Sequence, residues 1–184
     1  MILGITGSFG SGKTTVANIF NRYGYKVINA DRLYSGLIKK DTILYKKIKK
    51  EFGTVNRKKL KNIVFNDYSK LKRLNKLTHP VIIGKIKSLI KKEKKKTVID
   101  APLLIEANAL SLVDKLIVVK CNKNKQMERL LKKNKYTKKE INNIIKSQMP
   151  LKKKLKYADY TIDNSKSLKH TEKQVKKIVK LLNQ

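Results

Sequence analysis

The sequence predicts one α/β domain: a five-stranded parallel sheet flanked by helices and interrupted by two helical excursions. Three observations predict it. Short apolar or β-branched runs recur at Ile2–Thr6, Lys26–Ala30, Thr97–Ala101, Lys115–Lys120 and Tyr160–Asp163, with helical periodicity between them. The first run opens into a glycine loop and a helix before the second, the strand–helix–strand order that makes those two strands parallel. The length, 184 residues, suffices for one such core with a small inserted subdomain.

Taken in order, Ile2–Thr6 is a buried strand, Gly7–Gly12 a loop, and Lys13–Tyr23 a helix burying Val16, Ala17, Ile19 and Phe20. Gly24 suits a helix C-cap, and Lys26–Ala30 makes the second strand. From Arg32 to about Lys96 the pattern is helical, through Leu33, Leu37, Ile43, Leu44, Ile48 and Phe52, a break at Gly53, then Leu60 to Leu77. Pro80 is expected to start a further helix carrying Val81, Ile82, Ile83, Ile86 and Ile90. This stretch is too long for a simple crossover and predicts a helical subdomain. After the third and fourth strands, Asn122–Met149 reads as two helices joined near 134–137. The fifth strand and an amphipathic helix, Leu168–Leu182, close the chain.

Composition narrows the function. The formal net charge of +33 points to polyanionic ligands in general. Nucleic-acid readers, however, lean on arginine forks and stacking rings. Here the arginines are only Arg22, Arg32, Arg57, Arg73 and Arg129, and lysine is spread along the whole chain. Solvated lysines are screened beyond about 8 Å at physiological salt, so the fold can carry them. Specific nucleic-acid binding is therefore not expected. No apolar run approaches a membrane span or a secretory signal, so the expectation is a cytoplasmic, unexported protein. Cys121 is the sole cysteine, which leaves no disulfide framework and no thiolate cluster; it reads as an apolar filler.

The chemistry concentrates in Gly7-Ser8-Phe9-Gly10-Ser11-Gly12-Lys13-Thr14, followed by Thr15. This is a complete P-loop in its required setting between a strand and a helix. Its glycines let backbone amides converge on phosphate oxygens, and the following helix adds its positive end. Lys13 is expected to reach the β- and γ-phosphates of ATP, with the Thr14 hydroxyl on Mg²⁺. Asp31 follows the second strand, where ligands of open α/β sheets gather. It is read as orienting an acceptor hydroxyl, or as the N-cap of a helix from Arg32. Asp100 occupies the same place after the third strand, either ordering water around Mg²⁺ or capping the turn before Pro102. His79, ahead of Pro80, is either a structural histidine or an acceptor contact.

A P-loop with one acid leaves the acceptor open, since shikimate and gluconate kinases share that much. Four further segments, in order and at comparable spacing, resemble the dephospho-coenzyme A kinase family. They are Asn29-Ala30-Asp31, His79-Pro80, Asp100-Ala101-Pro102-Leu103-Leu104-Ile105-Glu106, and Gln148 through Ala158-Asp159-Tyr160-Thr161-Ile162-Asp163-Asn164. The resemblance implies an adenylate-kinase-like P-loop kinase with a core (1–31, 97–121 and 155–184), a helical acceptor-binding insertion (about 32–96) and a lid (about 122–150). It implies transfer of the γ-phosphoryl group of ATP to the 3′-hydroxyl of dephospho-coenzyme A. Asp31 and Lys13 would be catalytic, and His79, Pro102, Leu103, Leu104 and Glu106 would line the acceptor side. Gln148, Lys154 and 158–164 would lie towards adenine, and Arg129 or Lys133 would serve the lid. Two departures stand out: Asn29 is neutral where the family often has a second acid, and Lys133 stands where the lid usually presents an arginine.

Overall fold

The computed structural model describes residues 1–40 and 42–184; Asp41, inside the expected helical stretch, lies outside them. The chain divides into two compact units, Met1–Asn29 with Glu93–Gln184, and Ala30–Lys92. The first unit holds β1 (Ile2–Gly7), α1 (Lys13–Arg22), β2 (Lys26–Asn29), β3 (Thr97–Asp100) and β4 (Lys115–Lys120). It continues with α6 (Lys123–Leu131), α7 (Lys138–Lys146), α8 (Leu151–Leu155), β5 (Tyr160–Asp163) and α9 (Leu168–Leu182). The second unit holds α2 (Ala30–Leu37), α3 (Ile43–Phe52), α4 (Arg57–Phe65) and α5 (Tyr68–Lys92).

The five strands pair in the order β2-β3-β1-β4-β5, every ladder parallel. β1 and β2 are thus parallel, as expected, but β3 lies between them. That order puts the ends of β1 and β3 side by side, and pairs Asn29 with Asp100 across β2 and β3. The core is built on Leu3, Ile5, Val98, Ile117, Val119 and Ile162, covered by Val16, Ala17 and Phe20 of α1 and by Val175, Ile178 and Val179 of α9. Each such valine, leucine, isoleucine or phenylalanine contributes about 1.5–3 kcal/mol when fully buried. Exposed pairs such as Arg22–Glu172 contribute at most about 1 kcal/mol. Apolar packing therefore sets the fold, and the lysines are carried on its outside.

The helical unit packs around Leu44, Ile48, Leu60, Val64 and Leu71. Its helices begin on side-chain caps: Thr42 accepts from the Tyr45 amide, and Asn56 from those of Lys58 and Lys59. α3 ends where Gly53 turns left-handed at φ 68°.

Three boundaries differ from the expectation. Pro80 starts no helix: α5 runs through it as one 25-residue element. A proline costs a helix one amide donor and crowds the preceding turn, yet a helix packed on both sides of it can carry that loss. Buried Leu71 and Ile86, on either side of Pro80, supply such anchoring. α2 starts at Ala30, not Arg32, so Asp31 sits in its first turn rather than ahead of it. Finally, the one-turn helix α8 falls across the expected boundary between lid and core. No helix among the described residues is long and apolar enough to cross a membrane.

Candidate active site

The P-loop leaves β1 at Gly7 and enters α1 at Lys13, with Gly10 at φ 78° and Gly12 at φ 90°. A side chain at Gly12 would be strained by that backbone and would place its Cβ 1.9 Å from Asn164 Nδ2, so only glycine fits. The loop is held from three sides. Asn164, just past β5, donates from Nδ2 to the Ser11 carbonyl at 2.9 Å, and its Oδ1 accepts from Thr171 Oγ1 at 2.9 Å. Gln126 of α6 donates to Ser8 Oγ at 3.0 Å and also to the Phe9 carbonyl. Gln148 accepts from the Phe9 amide at 2.8 Å. The Phe9 ring meets Tyr136 edge-on, with centroids 5.2 Å apart.

Lys13 is buried, and its ammonium donates to the Gly7 and Ser8 carbonyls at 3.2 and 2.9 Å. The charge is thus held against the loop's own carbonyls. Ser11 Oγ is buried without a hydrogen-bond partner among the described residues, a polar atom that a phosphate oxygen would satisfy.

Beside the loop, Asp100 is 2% exposed. Its Oδ2 accepts from Thr14 Oγ1 at 2.8 Å and from Asn29 Nδ2 at 2.7 Å. Asp100 therefore meets the P-loop threonine directly. The contact with Asp100 explains the neutral residue at position 29. An amide there donates to the buried carboxylate, whereas a second carboxylate would oppose it at the same distance. A hydroxyl and a carboxylate oxygen in contact suit Mg²⁺, a hard cation that takes one or two protein oxygens and completes its shell from phosphate and water.

The segment after β3 is fixed from below. The Pro102 carbonyl accepts from Thr6 Oγ1 at 3.0 Å and from Lys154 Nζ at 2.6 Å. Pro102 and Leu103 are half-buried, whereas Leu104 is core, lying against Gly4, where an added Cβ would come within 2.6 Å of it. Lys154 is completely buried, and its ammonium lies 2.8 Å from Glu106 Oε1. Burial pulls its pKa below the ordinary lysine value, and Glu106 opposes that shift. Lys154 is thus tied to the segment after β3, whereas Gln148 is tied to the P-loop.

Of the two lid candidates, Arg129 donates to the Asn164 carbonyl at 2.8 Å and lies 3.5 Å from Cys121 Sγ, close to the loop-holding asparagine. Lys133 is exposed. Thr15 is exposed on α1. In the helical unit, Asp31 is exposed in the first turn of α2 and His79 is half-buried within α5, one residue before Pro80.

Sequence reasoning missed Gln126, Thr6 and Thr171, single polar residues on apolar or lysine-rich faces. Their one sequence signal is a polar side chain at a position whose neighbours are core.

A model of the dephospho-CoA kinase family matches residues 1–170. The dephospho-CoA kinase of Aquifex aeolicus is 38% identical over 186 residues, covering 96% of this chain and 94% of that protein. That of Bacillus thuringiensis is 36% identical, covering 100% and 98%. Among solved structures, one from Thermus thermophilus superposes with a TM-score of 0.83 at 26% identity, covering 99% and 97%. The dephospho-CoA kinase of Campylobacter jejuni superposes at 0.67 and 28%, covering 98% and 96%. A shikimate kinase from Bacteroides thetaiotaomicron, at TM-score 0.61 and 13% identity, shares the fold. With the P-loop, the Thr14–Asp100 contact and the parallel five-stranded sheet in place, these matches establish that the chain belongs to the dephospho-CoA kinase family.

Proposed function

We propose that this protein transfers the γ-phosphoryl group of ATP to the 3′-hydroxyl of dephospho-coenzyme A in the cytoplasm. Family membership supports the acceptor. The observation that carries the chemistry is the buried Asp100 carboxylate against Thr14 Oγ1 at 2.8 Å, next to a loop that stores Lys13. P-loop amides and Lys13 hold the triphosphate tail. Thr14 directly, and Asp100 through water, would hold Mg²⁺, which when bound neutralises charge on the β- and γ-phosphates.

Asp31 is two residues beyond Asn29, at the end of β2. It orients the acceptor hydroxyl or takes up its proton, so that the oxygen attacks phosphorus in line as the bond to ADP breaks and ADP leaves. Transfer passes through a loose transition state, so an aspartate of ordinary basicity suffices for that task. His79 and the Pro102–Glu106 segment serve the acceptor side, and Arg129 and Lys133 the phosphates. Lid closure excludes water and protects ATP from hydrolysis.

The deciding experiment presents purified protein, ATP and Mg²⁺ with dephospho-coenzyme A beside AMP, CMP, shikimate and gluconate. Saturable transfer to dephospho-coenzyme A is expected; transfer only to one of the others refutes the reading. Asp31→Asn should keep ATP affinity and lower kcat by about 10²–10⁴-fold. Near-normal turnover would remove Asp31 from catalysis.

A further inference from the structure

Glu106 presents a difficulty for an acceptor that is itself polyanionic: a bare carboxylate beside it would repel it. The structure answers the difficulty. Glu106 Oε1 accepts the Met149 amide at 3.0 Å and lies 2.8 Å from Lys154 Nζ, and Oε2 accepts from the same ammonium at 3.1 Å. Both oxygens are therefore engaged inward and the charge is neutralised. The ammonium also donates to the Pro102 carbonyl at 2.6 Å, which Thr6 of β1 holds from its other side at 3.0 Å. Lys154 thus grips both ends of the Pro102–Glu106 turn, and Thr6 ties the first of them to the strand that feeds the P-loop.

Stability alone does not call for this arrangement. Burying a charged pair gains little over an apolar pair of the same volume, and pairs such as Lys115–Asp159 stay in solvent. What the ammonium supplies that a leucine would not is three directed donors in fixed places.

We propose that Lys154 is a positioning residue for the acceptor, acting through Glu106 and the Pro102 carbonyl, and that Glu106 works through this pair rather than as a direct ligand. The inference rests on the proposed function, in which the Pro102–Glu106 turn lines the acceptor side. Loosening the turn then weakens acceptor binding selectively, because the P-loop keeps its own ties to Gln126 and Asn164.

The test measures steady-state kinetics on Lys154→Met. The KM for dephospho-coenzyme A should rise about tenfold or more, with KM for ATP and kcat at saturation within about threefold of the parent. If the unpaired Glu106 prevents folding, Lys154→Met combined with Glu106→Gln removes both charges and should show the same split. A folded variant in which both KM values stay unchanged, or rise in equal proportion, overturns the positioning role. Variants that all fail to fold assign the pair to stability alone and overturn it too. A parent protein that phosphorylates some other acceptor refutes the proposed function instead, a distinct outcome read before any variant is made.

Discussion

The P-loop and the helical unit of Ala30–Lys92 are built on opposite principles. The loop is held almost wholly by directed polar contacts from residues far along the chain: Gln126, Gln148 and Asn164, with Thr171 behind. The helical unit is held by an apolar cluster whose members lie within thirty residues of one another, with caps cut from Thr42 and Asn56. Directed contacts fix atoms to tenths of an ångström but tolerate no substitution. Apolar packing tolerates volume-conserving swaps and fixes shape only approximately. A surface that presents amides to phosphate needs the first kind, and the helical unit is built on the second.

Gly12→Ala separates the two kinds of construction most strongly. One methyl group is added, yet φ of +90° and the 1.9 Å approach to Asn164 force the loop or the asparagine to move. Displacements of about 1 Å in a phosphate site cost roughly 10²-fold in turnover. A fall of that size in kcat/KM for ATP is expected, together with a lowered melting temperature, because alanine is strained at positive φ. Activity within a few-fold of the parent would mean the loop is not held as described.

The converse variant is Ile48→Ala, at a fully buried position in the helical cluster. It should lower the unfolding free energy by about 2–5 kcal/mol. Calorimetry below the transition should still find ATP affinity unchanged within a factor of two. Weakened ATP binding in the folded variant would show that the two regions are not separable in this sense.

The same contrast explains what the sequence revealed. Strands, α1 and α9 were legible because their apolar period is read locally, as Val175, Ile178 and Val179 illustrate. Gly10 and Gly12 were legible because a backbone conformation demands one residue type. Asn29 was visible only as a missing acid; its role as a donor to Asp100 appears once β3 is known to neighbour β2. Gln126 and Thr171 were visible only as polar side chains among core neighbours, and nothing local named their partners, which lie 117 and 7 residues away. Pro80 misled because the cost of an internal proline is real but smaller than what anchoring Leu71 and Ile86 on both sides returns. Elements were read from periodicity; the partners of single polar residues depend on strand order, which periodicity does not encode.

The smallest expected effect compares two carboxylates, one in each region. Asp159 accepts the Leu116 amide at 2.7 Å and Lys115 Nζ at 3.0 Å, tying the approach to β5 onto β4. Its pKa is lowered, chiefly by the Leu116 hydrogen bond against some desolvation, with Lys115 adding to the lowering. Asp67, ahead of α5, is lowered chiefly by the Ser69 hydroxyl and then by the Lys70 amide, at a half-buried surface position. In both, the folded pKa lies below the unfolded value near 3.9, so each contribution is complete above that value and fades as pH falls through the folded pKa. Denaturant titrations at pH 7 and pH 3 on Asp159→Asn should show a stability deficit at neutral pH that shrinks at pH 3. Asp67→Asn should show a smaller deficit with the same trend, because water screens it and an asparagine caps nearly as well. A deficit for Asp159→Asn that persists undiminished at pH 3 would mean that the lost interaction is packing rather than charge, and that the directed contacts holding the P-loop have no ionic counterpart at the edge of the sheet.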